Sequence, residues 1–319
     1  MNRRQIILAG TLAPLTPALL AAAVDAPATE ELALWPGGAP GGERVTVREE
    51  VTDRAPGVTP RDRMVEHVTN PQLTLFRPKT DYNGVTLLVA PGGGYRRVVI
   101  DHEGFDTAEW LAARGFAAGV LRYRLPADGW SAGPDVPLHD AMRALRLLRA
   151  HAPAGTRRVG AIGFSAGGHV IARLITESVA GPPRVDAVDD ESARPDFAVL
   201  MYPVIAMTGA SAHTGSAQQL IGAGVPPTDL ALARYSAQRN VSAQTPPTML
   251  VHAADDRSVP VENSLAMYDA LRAHGVRSEL HVFDAGGHGF GMRSVAGKTV
   301  AAWPTLVQNW ALSDAAPKG

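Results

Sequence analysis

Gly163-Phe164-Ser165-Ala166-Gly167 fits the pattern G-x-S-x-G, with an apolar run before it and residues of helical spacing after it. Where a strand turns that abruptly into a helix, flanking side chains would collide with neighbouring backbone, so glycines stand on either side of the serine. The Ser165 hydroxyl is then held out at a helix N-terminus, where free amides and the helix dipole favour developing negative charge. A hydroxyl is a poor nucleophile at neutral pH until a base takes its proton, so a histidine held by a carboxylate should follow. "HAADDRSVP" (252–260) and "DAGGHGF" (284–290) each come after an apolar run, in the order serine, acid, histidine. His288 stands among glycines. Of the acids, Asp256 and Asp255 are both open as its orienting partner, the other being free to cap the turn. Developing charge on a carbonyl oxygen needs donors, and "LLVAPGGGYRRV" brings a glycine loop whose Gly93 and Gly94 amides can act with that of Ala166. G-x-S-x-G alone also occurs in ordinary glycine-rich turns. Its arrival with the glycine loop, the late acid and the late histidine points to acyl transfer through a covalent serine intermediate.

These residues need a scaffold that carries them at strand ends. Apolar, β-branched runs occur at 72–76, 85–90, 117–123, 158–163, 197–202, 248–253 and 278–283. Helical spacing lies between most of them, at 107–114, 137–151, 166–177, 261–274 and 300–312. The alternation predicts an α/β fold with a mostly parallel central sheet and helices on both faces, its chemistry at the carboxyl ends of the strands. Residues 24–62, rich in proline and glycine, read as an N-terminal wrapping segment with an early strand near 45–51, and 63–319 as the catalytic domain. The stretch 203–245 breaks the rhythm, with a short helical piece at 229–235. It is a small insertion after the strand ending near Tyr202, read as a lid in preference to inert packing.

The chain has 319 residues with a net charge of −1, which offers no basic field for nucleic acid. It contains no cysteine, which excludes thiolate nucleophiles and disulfides. The remaining histidines show no metal-type spacing, and neither a metal nor a cofactor is called for. Residues 1–23, with Arg3 and Arg4, an apolar stretch and small residues at Ala21–Ala23, read as a signal peptide of Sec rather than twin-arginine type. That places the mature protein in the periplasm or outside the cell, without stable membrane insertion.

From Leu34 to Trp310 the chain resembles the α/β-hydrolase group of bacterial carbohydrate esterases, of acetyl-xylan-esterase-like and feruloyl-esterase-like type. The resemblance rests on "LWPGGAPG", "APGGGY", "DHEG", "YRLP", "GPDVPLHDAMRALRLLR", "GFSAGGH", "YPVI", "HAADDRSVPVENS" and "GGHGF". The later motifs are shared with dienelactone-hydrolase-like and prolyl-oligopeptidase-like enzymes; "DHEG" and the segment from Pro134 are narrower. The resemblance implies Ser165 as nucleophile, Asp256 as acid, His288 as base and the Gly92–Tyr95 loop as oxyanion donor. Many relatives carry histidine before the glycines where this chain has Pro91, so that loop must be braced in another way. The implied reaction is removal of acetyl or another short acyl group from a plant saccharide. Tyr95 and Trp130 are then candidates for stacking on a sugar ring, against the commoner role of aromatics in packing. The alternatives are a serine peptidase and a catalytically silent binding protein of the same fold.

Overall fold

A strand whose residues are all buried has no polar face, and can exist only in a sheet covered on both sides. Val85–Ala90 and Thr248–Ala253 are buried throughout, and Arg158–Phe164 at all but its first residue. The computed structural model describes residues 29–78, 81–177, 181–221 and 232–313; the signal-like stretch 1–23 lies outside them. In chain order the strands are β1 (Thr29–Ala33), β2 (Glu50–Asp53), β3 (Arg63–Glu66), β4 (Gln72–Phe76), β5 (Val85–Ala90), β6 (Arg97–Val98), β7 (Ala117–Arg122), β8 (Arg158–Phe164), β9 (Ala198–Met201), β10 (Thr248–Ala253) and β11 (Ser278–Phe283). The α-helices are α1 (Asp106–Ala112), α2 (Val136–Ala150), α3 (Ala166–Thr176), α4 (Thr214–Ile221), α5 (Glu262–Ala273) and α6 (Trp303–Leu312).

Eight strands form one sheet in the order β1-β4-β7-β5-β8-β9-β10-β11. From β7 to β11 all neighbours are parallel, while β4 and β1 join antiparallel at one edge. From β5 the chain crosses to β7 on one side and returns to β8 on the other, so the crevice at the β5 and β8 carboxyl ends is a topological switch point. Register then sets which loops meet. Ala90 pairs with Gly163, bringing the glycine loop beside Ser165, and Ala253 pairs with Phe283, bringing the Asp256 loop beside that of His288.

The early strand differs from expectation. It occupies Glu50–Asp53 rather than 45–51, because its partner β3 pairs only with those residues in a small β2-β3-β6 sheet. β1, β3 and β6 had no signal of their own; β1 is mostly exposed and exists by pairing with β4. Of the helical piece expected at 229–235, only 232–235 is described.

The segment after β1 is anchored by a buried ion pair. Asp140 on α2 accepts from Trp35 Nε1 at 2.8 Å, from the Arg124 backbone N–H at 2.8 Å and from Arg124 Nη2 at 2.7 Å. The Arg124 and Asp140 side chains are 1% and 0% exposed, and Arg124 Nη1 also donates to Pro40 O. Removing the carboxylate would leave a buried cation without a counter-charge. Asp140→Ala is expected to lower unfolding free energy by about 3–5 kcal/mol in urea titrations; a loss under about 1 kcal/mol would mean that the pair is not the anchor.

Candidate active site

At the end of β8 the backbone turns through Ser165, whose φ is +52° and ψ −117°, a region that costs a non-glycine residue about 1–3 kcal/mol. The surrounding bonds hold it there: Ser165 N–H donates to Met201 O, and Ser165 O accepts from the amides of His169 and Val204. The flanking glycines are needed for space. A Cβ on Gly163 would lie 2.4 Å from Gly167 O, and one on Gly167 would lie 2.2 Å from Ala90 O.

Ser165 Oγ lies 2.8 Å from His288 Nε2, and His288 Nδ1 lies 2.7 Å from Asp256 Oδ2. An ionised carboxylate only accepts, so Nδ1 carries the ring proton and Nε2 is left to accept from the serine hydroxyl. Burial pushes the Asp256 carboxyl upward, but hydrogen bonds from His252 and His288 and the amide of Val259 outweigh it and hold it well below the usual carboxylate range. His252, fully buried, accepts from Ser264 Oγ at Nδ1, while its Nε2–H faces both Val259 O at 3.0 Å and Asp256 Oδ2 at 3.3 Å. The choice between the adjacent acids is thus made by position. Asp255 points the other way and accepts from the amides of Gly286 and Gly287 at 2.8 and 2.7 Å, stitching down the loop that carries His288.

Gly93 and Gly94 line a cleft of about 380 Å³ together with Ser165 and His288. Gly93 has φ +133°, and a Cβ there would meet Arg97 O at 2.1 Å, so no other residue fits that bend. Ala166 follows Ser165 as the first residue of α3. Bracing of the loop behind Pro91 is shared. Tyr123 OH donates to Pro91 O at 2.8 Å, and the Gly92 amide donates to Glu103 Oε2 at 2.7 Å.

Neither aromatic candidate faces the cleft. Tyr95 is fully buried and its hydroxyl pairs with His169 Nδ1 at 2.6 Å. His169 Nε2 donates to Tyr235 O, and burial, with Arg173 nearby, pushes its pKa down to about 3, so it stays neutral and accepts from Tyr95. Tyr95 therefore pins the glycine loop to α3. Trp130 is 5% exposed, with the Arg124 guanidinium 4.8 Å from its ring centroid, and serves as packing under the anchor of the N-terminal segment.

The prolyl oligopeptidase family model matches residues 187–311, the stretch carrying Asp256 and His288. The chain is 33% identical over 255 residues to an acetylxylan esterase of Xylanibacter ruminicola, covering 77% of this chain and 49% of that protein. It is 35% identical over 222 residues to an endo-1,4-beta-xylanase B of Butyrivibrio fibrisolvens, covering 69% and 34%. The chain thus spans about half or less of the length of these curated relatives. Among solved structures, the acetyl ester-xyloside bifunctional hydrolase of Caldicellulosiruptor lactoaceticus is 33% identical, with a TM-score of 0.65, over 88% of this chain and 94% of that one. The chain belongs to the acetyl-xylan-esterase-like α/β-hydrolases.

In this esterase-like chain the "DHEG" motif forms a buried π-helical turn, Ile100–Phe105, that ties the site's loops together. Asp101 takes three hydrogen bonds from Arg63, at the start of β3. His102 Nε2 donates to Gly289 O at 2.8 Å, beside His288. Glu103 accepts from the Gly92 amide on one oxygen and from Tyr202 OH on the other, at 2.8 Å. Burial and the Glu103 charge raise the Tyr202 pKa, which keeps the phenol protonated, and its ring packs edge-on to His288 at 5.2 Å. From the insertion after β9, His213 reaches the cleft wall. Nothing in "DHEG" or "YPVI" assigns these roles locally; the signal they carry is a run of titratable residues, Asp101, His102 and Glu103, and a phenol, Tyr202, opening an otherwise apolar motif. Glu103→Ala is expected to lower kcat on an aryl acetate by about 10²-fold, since misplacing a catalytic group by about 1 Å costs that much; an unchanged kcat would show that the glycine loop holds without the Glu103 brace.

Proposed function

We propose that this chain is a serine carboxylester hydrolase that removes acetyl or another short acyl group from saccharides. The observation that carries the reading is the continuous hydrogen-bonded path Ser165 Oγ, His288, Asp256 at 2.8 and 2.7 Å, opening on a cleft at the switch point of the sheet. Ser165 Oγ attacks the ester carbonyl carbon while His288 Nε2 takes its proton, and the carbonyl oxygen becomes an oxyanion. Gly92 N–H is committed to Glu103, which leaves the amides of Gly93 and Gly94, with that of Ala166, as the oxyanion donors. His288 then protonates the leaving alcohol, and water repeats the sequence on the acyl-enzyme to release the acid and restore Ser165. Asp256, ionised, stabilises the imidazolium.

The saccharide is supported by the named activities of the Xylanibacter ruminicola and Caldicellulosiruptor lactoaceticus relatives. The volume, about 380 Å³, is at the small end of the roughly 300–1,000 Å³ usual for small-molecule sites, which suits a short acyl group. The prolyl oligopeptidase match favours peptide hydrolysis as the second reading. Ser165→Ala should cut acetate release from acetylated xylo-oligosaccharides by about 10⁴-fold or more without unfolding the protein. Retained release would remove the serine mechanism, and cleavage of a prolyl aryl-amide in place of the esters would favour the peptidase. The leader-like residues 1–23 support export, which a protein recovered outside the cytoplasm and beginning at Val24 would bear out and an intact Met1 terminus would contradict.

A further inference from the structure

The charge lining the cleft is unbalanced. Arg97 and Arg54 both face it, and among its described lining residues Glu103 is the one carboxylate. Glu103 is 4% exposed and has both oxygens engaged by Tyr202 and Gly92, so it offers no free acceptor to a guanidinium. The Arg97 side chain donates to Met64 Sδ at 3.1 Å, a thioether and a weak acceptor. No ion pair joins Arg97 to a carboxylate among the described residues; Glu66, directly across the ladder from it, bridges Arg96 instead. The Arg54 side chain is 41% exposed and, among the described residues, makes one ion-pair contact, a long one with Asp62 at 3.6 Å. Arg97 is moreover packed against the glycine loop, since a Cβ on Gly93 would lie 2.1 Å from Arg97 O and 2.9 Å from its Cγ.

A planar guanidinium carries several donors in a fork that matches a carboxylate. We propose that Arg97, assisted by Arg54, binds a carboxylate of the ester substrate, so that the cleft selects acidic esters, foremost acetyl esters of uronic-acid-bearing oligosaccharides. This deepens the esterase reading and rests on it. The same carboxylate could instead sit on the acyl group, as in a hemisuccinate, and the experiment separates the two.

kcat/KM is measured for acetylated neutral xylo-oligosaccharides, for the same oligosaccharides bearing a glucuronic acid, and for an aryl acetate beside an aryl hemisuccinate, using wild type, Arg97→Gln and Arg97→Lys. Wild type should prefer the acidic member of one pair by about tenfold or more, the scale of a charge-assisted hydrogen bond, and chiefly through KM. A preference in the oligosaccharide pair places the carboxylate on the sugar; one in the aryl pair places it on the acyl group. Arg97→Gln should bring the ratio close to one, Arg97→Lys should keep part of it, and raised salt should weaken it. Equal rates within both pairs would overturn the proposal and leave the esterase standing. Absence of release from every ester would overturn both.

Discussion

A serine held at positive φ between a buried strand and a helix is the constraint on which the other parts of this site depend. The strained turn puts Oγ above the sheet edge at the N-terminus of α3, and the backbone can take it only because neighbours on β9 and β10 are already fixed. Met201 O and the amide of Val204 hold Ser165, Tyr202 N–H donates to Val251 O, and the glycines on either side allow α3 to approach β5 within contact distance of Ala90 O. Strain of this kind persists only where the surroundings over-determine it. Here they do so through the same parallel register that brings the glycine loop, the acid and the base to one edge.

Around that turn, buried polar groups act as ties between loops that the sheet alone would leave independent. The π-helical turn after β6 joins the small sheet through Asp101, the His288 loop through His102 and the glycine loop through Glu103. Tyr95 and His169 tie the glycine loop to α3, while His252 and the Ser258 and Val259 amides fix the carboxylate that orients the base. Such networks are strong because each member is satisfied; a half-satisfied one in low dielectric would cost more than an apolar packing. The cleft wall differs, with Arg97 left against a thioether.

How much of this could be read from the chain follows from the range of the interactions. Ser165, His288 and the acidic pair 255–256 are legible as candidates because each sits in a short motif at a strand end, and strand ends are visible in apolar runs. Strands β4, β5 and β10 match their expected bounds because their own residues specify burial, and β11, with no buried residue, matches as the edge strand paired with β10, whereas β1 owes its form to a partner distant in sequence. The Asp255 and Asp256 pair could not be separated by spacing, since adjacent residues in a turn point to opposite sides. Glu103 and Tyr202 meet across 99 residues, and nothing local in "DHEG" says which loops it will touch. Tyr95 and Trp130 show the same limit in reverse, since an aromatic beside a functional loop reads alike whether its ring faces substrate or, as here, His169 and Arg124.

The central claim is that Ser165 is a nucleophile activated by His288, and the most direct measurement is the site of reaction with a fluorophosphonate. The folded protein is treated, digested and mapped by mass spectrometry, beside a His288→Ala variant. The account predicts one adduct, on Ser165, formed far more slowly in the variant. An adduct on another serine, or equal labelling with and without His288, would contradict it.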